Sequence, residues 1–376
     1  MNRLAVYIVP HYDDWQLFAG HQVFHDLQQD NMRVVFIYTT ADDAGQPDDW
    51  WQINEQGAIA SIQSAMSREN ESLTPMQVII NHHPIICYRL QYISSYCLRL
   101  PDGFPDGRGS SQYQHQSLTK LEQGLCAVSA VDGSTIYHSW QDFCDTLYSI
   151  LDIEVPKNIP CTIHCLDDSA LTNPNDHADH RATTHAVRQI KDQYNYCFWL
   201  TYYTYYCPAN LFGEALIQKK TLFEAYLKRT EEHPYAIKMA YMRQNEWRCW
   251  GSKHYFREIS HQGEIINDLT AEYRAPTVFK TELWKDHDVF FIRCVDVNEH
   301  QDGDTTCITN LFTLKSVSLN QTSVLIWSLL KHPHSVNTLL TFFEKALPNL
   351  PELQSAIENI VDILLSHQLI CIQKEQ

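Results

Sequence analysis

His11, Asp13 and Asp14 stand almost side by side, directly after the near-continuous apolar run Leu4-Ala5-Val6-Tyr7-Ile8-Val9. Such a run reads as a buried parallel strand, and open α/β sheets place their ligands at the carboxyl ends of strands. His11 and Asp14, three apart across a tight turn, can converge on one cation. Asp13, between them, is left free to take a proton. Two ligands and one base are what metal-assisted hydrolysis needs. A second cluster, His177-Ala178-Asp179-His180, offers further imidazoles. One of them would complete a two-histidine, one-carboxylate set with a position open for water, the ligand count of catalytic zinc. His180 is favoured as that ligand, His177 as a separate functional group, and Asp179 as a carboxylate that orients an imidazole from behind.

Each cluster has a plainer reading on its own. Aspartates in a turn cap helices, and Asp176 to His180 could be no more than a capped helix start. Two such motifs in order, each after an apolar strand, favour the metal site. His82-His83 reads as a solvated strand-end pair. Asp42 and Asp43 divide evenly between loop solvation and pocket lining.

The elements that must position these groups alternate. Leu4 to Val9 is a strand, Trp15 to Asp30 a helix and Arg33 to Thr39 a second apolar strand, with Thr40 to Gly45 as a polar loop at its end. A helix runs from about Trp50 to Met66, and Gln77 to Ile80 is a short strand. A long insertion rich in Gly, Pro and Ser opens at Leu98 and closes near Gly109. Cys161 to Cys165 is a later strand, whose loop leads to Asp176–His180 at the start of a helix. This alternation predicts an α/β, Rossmann-like three-layer sandwich with a mostly parallel sheet. Cys197 to Cys207 is unusually aromatic, and its tyrosines read as a half-buried strand. A charged helix follows from about Gly213 to Arg229, and Arg257 to Pro276 reads as a linker.

Composition bounds the function. At 376 residues the chain allows two or three domains, and a net charge of -17 argues against a nucleic-acid or anionic-membrane binder. No window approaches a membrane span. The first residues match neither a signal nor a transit peptide. The twelve cysteines are scattered without a CxxC pair, as reduced, buried small hydrophobes would be. A cytoplasmic location is therefore expected.

His11-x-Asp13-Asp14, with Leu17 and Gly20 behind it, resembles the first motif of the PIG-L/LmbE-like zinc deacetylases. Tyr38 to Gly45 resembles that family's second-strand loop, and His177-x-Asp179-His180-x-Ala182-Thr183 its downstream motif. Leu98 to Gly107, ending in Gln116-Ser117-Leu118, is similar to an insertion in one branch, and Lys219 to Arg229 to a helix near the domain's end. The resemblance covers roughly residues 1–260. It implies a Zn2+ ion held by His11, Asp14 and His180, with Asp13 as general base. His177, supported by Asp179, would in its protonated form polarise the scissile carbonyl or protonate the leaving amine. The implied reaction is hydrolysis of an N-acyl group, typically N-acetyl on an amino sugar. Two positions depart from the family: Trp15 stands where an acidic residue is usual, and Gln52 replaces an arginine that contacts substrate, while Glu55 is kept. The family's sugar substrate is therefore not carried over.

Residues 1–270 are thus expected to form the deacetylase-like domain and 278–376 a small winged-helix-like α+β domain. In the latter, hairpin-like segments at Val289–Val297 and Thr306–Leu314 precede three amphipathic helices. Asn320 or Thr322 is the N-cap of the first of these, and His367 to Ile372 forms a closing strand. This order, with Leu319-Asn320-x-Thr322, Ile326-Trp327 and Asp362-Ile363-Leu364, resembles the PqqD-like peptide-recognition elements of ribosomal peptide biosynthesis. The resemblance implies a precursor (leader) peptide as partner, gripped by strand addition. The alternative is a free N-acetyl amino-sugar deacetylase whose tail is an ordinary structural appendage.

Overall fold

The structure is a computed structural model. It describes residues 3–46, 48–66, 72–156, 159–169, 173, 176–190, 194–201, 207, 209–268, 290–293, 297–303, 305–310, 316–346, 353–367 and 369–373. In chain order the first elements are β1 (Arg3–Val9), α1 (Asp14–Phe18), α2 (Gly20–Leu27), β2 (Met32–Thr40), α3 (Trp50–Ala65), β3 (Thr74–Ile80), β4 (His83–Leu90) and β5 (Ile93–Leu100). Then come α4 (Leu118–Glu122), β6 (Val128–Ser129), β7 (Ile136–Tyr137), α5 (Trp140–Glu154), β8 (Cys161–Leu166), α6 (Ala178–Gln189) and β9 (Asn195–Trp199). The helices α7 (Gly213–Thr230) and α8 (Ala236–Trp250) and the strands β10 (Phe256–Ile259) and β11 (Ile265–Asp268) follow.

A nine-stranded sheet runs in the order β11-β10-β9-β8-β1-β2-β5-β4-β3. Its centre is parallel: β1 pairs with β2 and β8, β2 with β5, and β8 with β9. Both flanks are antiparallel. The sheet is therefore mixed, and the mostly parallel expectation holds only for its middle. Alternate residues of β1 feed two cores. Ala5, Tyr7 and Val9 face a cluster with Ala58 and Ile62 of α3 and Leu222 and Phe223 of α7. Leu4, Val6 and Ile8 face Phe143 and Leu147 of α5 and Ala182 and Ala186 of α6. Burial on both faces is what makes the strand read as an unbroken apolar run.

Several sequence expectations are corrected. The helix expected from Trp15 to Asp30 is two, α1 and α2, interrupted at Ala19. Leu98 to Leu100 are the end of β5 rather than the start of an insertion. The strand at Gln77–Ile80 begins at Thr74 and forms the antiparallel sheet edge. Asn81 and His82 turn it into β4 with φ of 47° and 68°, the double left-handed geometry of a tight hairpin, written here without the usual glycine. His83 is buried, with its ring on Thr135 and Asp142, and is not a solvated pair member. The linker expected at Arg257–Pro276 is, through Asp268, the β10–β11 hairpin. The rest of it, the tyrosines at 202–206 and the proposed 270–278 boundary lie outside the described residues.

Toward the C-terminus, β13 (Val297–Asp302), β14 (Thr305–Asn310) and β15 (Ser316–Leu319) form an antiparallel meander. Helices α9 (Gln321–Leu329), α10 (Val336–Ala346) and α11 (Leu353–Ser366) follow. The segment expected as a hairpin at Val289–Val297 instead supplies β12 (Phe290–Arg293), which pairs with the closing strand β16 (Ile370–Gln373). Asn320 caps α9 by accepting from the Ser323 backbone N–H at 2.9 Å. Ile326, Trp327, Leu339, Phe343, Ile357 and Val361 are the centre of a cluster with Phe291 and Ile370.

Candidate active site

Parallel pairing aligns the carboxyl ends of β1, β2, β5 and β8, so the loops after them meet. Thr40 donates its backbone N–H and its hydroxyl to the Pro10 carbonyl, and the Ala41 N–H reaches the Leu100 carbonyl at 2.7 Å. The Thr184 hydroxyl, bonded to the Leu166 carbonyl at 2.6 Å, holds α6 against the end of β8. His11, Asp13, Asp14, His177, Asp179 and His180 all converge here, and all are buried.

Asp14 lies between two imidazoles. Its Oδ2 is 3.4 Å from His11 Nδ1 and its Oδ1 is 3.1 Å from His180 Nε2. The same Oδ2 accepts the His11 backbone N–H at 2.8 Å, which closes the turn that the sequence spacing implies. His180 is aimed from behind by Asp176, whose Oδ1 lies 2.8 Å from Nδ1. Asp176 is itself fixed by the Thr201 hydroxyl and the Asn173 amide. Burial opposes charge on both rings. For His180, Asp176 and Asp14 outweigh it and push the ring up to about 9. For His11, Asp14 does so with help from Asp179 and Asp102. Burial would raise the Asp14 carboxyl, but His180 and His11 hold it well below the usual range.

His177 caps α6: its Nδ1 accepts the Asp179 backbone N–H at 3.1 Å. That bond leaves Nε2 to carry the proton of a neutral ring. Burial, then His11 and His180, push the ring well below the usual imidazole range. The expected protonated His177 therefore differs from this geometry, in which the ring offers a neutral N–H. Asp179 supports His177 less than expected, at 3.9 Å from Nδ1, and lies nearer His11 Nε2 at 3.5 Å. Its Oδ2 accepts the Gly103 N–H at 2.8 Å. A Cβ on residue 103 would sit 2.5 Å from Asp179 Oδ1, so glycine is what allows this approach.

Asp13, whose side chain makes no helix-capping bond, pairs through Oδ2 with Arg243 of α8. Arg243 is 3% exposed, stacks over Tyr226 at 4.6 Å, and places Nη2 3.9 Å from Asp42. Tyr226 reaches Asn54 through its hydroxyl at 3.0 Å and packs on Gly57 of α3, where a Cβ would meet its ring at 2.8 Å. Asp42, left-handed at φ 52°, lines this cluster, and burial together with Asp13 pushes its carboxyl well up. The pocket-lining alternative for Asp42 is the one the geometry favours. Glu55 is held by both nitrogen edges of Arg99, at 2.6 and 2.8 Å, and by the hydroxyls of Tyr12 and Tyr88.

Two buried donor groups in this cluster come close enough to hold a divalent ion, and the expected set of His11, Asp14 and His180 is neither of them, since Asp14 turns a different oxygen to each imidazole. His11, His177 and His180 can bring one ligand atom each within 4.8 Å of one another, and so can His11, Asp102, His177 and Asp179. His11 Nε2 and Asp179 Oδ1 are buried with no hydrogen-bond partner. Mixed imidazole and carboxylate donors suit zinc. The sequence reading did not single out Asp102, Asp176 or Arg243 as site residues. Asp176 could have been found from its position four before His180, and Asp102 from its place after an apolar strand. Nothing local marks Arg243.

Structure comparison aligns the chain with solved proteins of several kinds. One is a deacetylase triple mutant involved in the teicoplanin biosynthetic pathway (16% identity, covering 66% of this chain and 88% of that one, TM-score 0.37). Another is N,N'-diacetylchitobiose deacetylase from Pyrococcus horikoshii (13%, 69% and 85%, 0.40). A third is a conserved protein from Thermus thermophilus (12%, 69% and 94%, 0.36). No protein-family profile and no curated protein match the chain. Among the described residues no helix is long and apolar enough to cross a membrane.

Proposed function

We propose that this chain is a metal-dependent N-acyl amide hydrolase, with zinc as the ion its donors suit and His11, Asp14 and His180 as the ligands. The observation that carries the reading is Asp14 within 3.4 Å of His11 and 3.1 Å of His180, with Asp13 next to it in the chain. A bound ion of this kind lowers the pKa of water and polarises a carbonyl. The remaining work falls to the chain. Arg243 holds Asp13 Oδ2, which leaves Oδ1 as the oxygen to receive a proton from the attacking water and to return it to the amine nitrogen as the C–N bond breaks. His177, with its Nδ1 tied to the helix start, donates Nε2–H to the oxygen on which charge develops. Asp176 keeps the His180 ring turned toward Asp14. Burial of the whole cluster excludes bulk water and strengthens each of these interactions.

The acyl group is assigned to a residue or sugar of a precursor peptide whose leader docks on residues 278–376. Among the described residues β13 and β15 each pair only with β14, and an open strand edge is what strand addition uses. The test is release of free amine from N-acylated precursor and from a small N-acetylated amino sugar, with the full chain and added zinc. Release from the precursor at far higher kcat/KM supports this assignment. Equal rates on both would favour the free-sugar alternative, and no release from any N-acyl amine would overturn the hydrolase.

A further inference from the structure

Beside α2, toward the amino ends of the parallel strands and away from the proposed metal ligands, lies a cavity of about 350 Å3, within the size range of small-molecule sites. Its floor is the sheet itself. His164 of β8, Cys197 of β9 and Glu258 of β10 are direct cross-strand partners, so their side chains stand in one row on one face. Thr162 and Asn195 form the row on one side of it, Trp199 and Phe256 part of the row on the other. Helix α2 supplies a wall with Gln22, His25 and Asp26.

Two groups of the middle row lack a partner. His164 lines the cavity and is 6% exposed. Its Nδ1 accepts the Trp199 indole N–H at 3.3 Å, so Nε2 carries the proton of a neutral ring, and no described residue accepts it. Glu258, half-buried, makes no hydrogen bond or ion pair among the described residues. The other charged groups of the lining do not answer these two. Asp26 already accepts the Tyr7 hydroxyl and the Gln22 amide. Arg3 and His25 are exposed, and Arg3 stands on β1, three strands from Glu258. Buried polar groups are normally paired, so the cavity calls for an acceptor at His164 and a donor at Glu258, two strand spacings apart, about 10 Å at the backbone.

We infer that this cavity binds a small hydroxylated amine, with its ammonium on the Glu258 carboxylate and a hydroxyl oxygen accepting the His164 Nε2–H. Its remaining hydroxyls lie against Thr162 and Asn195. A hydrocarbon would leave His164 unpaired, and an anion would face Glu258 and Asp26. A metal ion is not the occupant: His164, Cys197 and Glu258 do not bring their donor atoms within reach of one ion, and burial pushes the Cys197 thiol well up, so it keeps its proton. The site does not depend on the hydrolase reading.

The experiment is calorimetric titration of the full-length, metal-loaded protein with glucamine, sorbitol and hexylamine, six-carbon chains that carry both features, the hydroxyls alone and the amine alone. Glucamine should bind, and sorbitol and hexylamine should each bind about tenfold more weakly. Glu258→Gln should bring glucamine to the level of sorbitol, and Thr162→Phe, on the cavity floor, should abolish binding with the metal content unchanged. No glucamine binding by the parent protein, or binding that neither substitution weakens, would overturn the site. Sorbitol as tight as glucamine would overturn the role of Glu258, and hexylamine as tight as glucamine that of His164.

Discussion

At the scale of the residue, the two aspartates of one turn face different partners, and the separate tasks proposed for them rest on that difference. Asp14 meets two imidazoles and Asp13 meets a guanidinium. Asp13→Asn should therefore retain the metal yet lose activity by about 100-fold or more, since the amide cannot take a proton; metal analysis beside an amine-release assay checks both parts. Glu55 is a different case. The family resemblance places it beside a missing arginine, but the structure gives it another, Arg99, bonded at two points and backed by Tyr12 and Tyr88. Its replacement leaves a largely buried cation short of its main partner. Glu55→Gln should lower unfolding stability by about 3 kcal/mol, read by urea denaturation with the metal content unchanged. A loss within a few tenths of a kcal/mol would show that Asp132, which also pairs with Arg99, suffices.

At the scale of the element, the site depends on loops held at one end of a parallel sheet. Gly103 shows how tight that assembly is. Its N–H is 2.8 Å from Asp179, and a methyl group would strike the same carboxylate. Gly103→Ala should displace Asp179 from His11, lower activity about tenfold, and cost about 1–3 kcal/mol in a chemical melt. Full activity would mean that the loop gives way without cost. The parallel strands and the residues at their ends were legible because doubly buried strands are unbroken apolar runs and the chemistry follows them directly. Helix α8 was not: Pro234 marks a break there, but Tyr235 at the helix start makes no side-chain capping bond, so the boundary alone did not announce a helix. Arg243, which that helix delivers to Asp13, went unseen with it. On the β3 flank, where a strand was expected at Gln77–Ile80, its hairpin partner β4 went unread for a related reason: Asn81-His82 turns a hairpin that sequence reading expects to find written with glycine.

At the scale of the whole molecule, the buried core carries its own pH dependence. His164 lies in β8, stacked on Tyr7 at 4.3 Å and accepting from the Trp199 indole N–H at 3.3 Å. Burial pushes its ring down to about 3. As pH falls below about 6.5 the unfolded chain takes up this proton and the folded chain does not, until pH nears that lower value. Folding stability should thus fall with acidification across that window, by up to about 1.4 kcal/mol per pH unit from this group. Urea melts of His164→Phe between pH 7 and 4.5 should show a shallower loss than the parent, and parallel curves would contradict it. Removing residues 278–376 should leave metal content intact and raise KM for the precursor far more than it lowers kcat, because the lost docking energy is remote from the reacting bond. Equal kcat/KM for precursor and leaderless peptide would end the docking role. The central claim, however, is the ligand set, and metal content per chain tests it most directly. The parent protein should hold about one divalent ion, zinc by its mixed donors. His11→Ala, Asp14→Ala and His180→Ala should each lose that ion, while Asp13→Asn and Asp102→Ala keep it. Full occupancy in the first three, or loss in Asp102→Ala with retention in Asp14→Ala, would contradict the account.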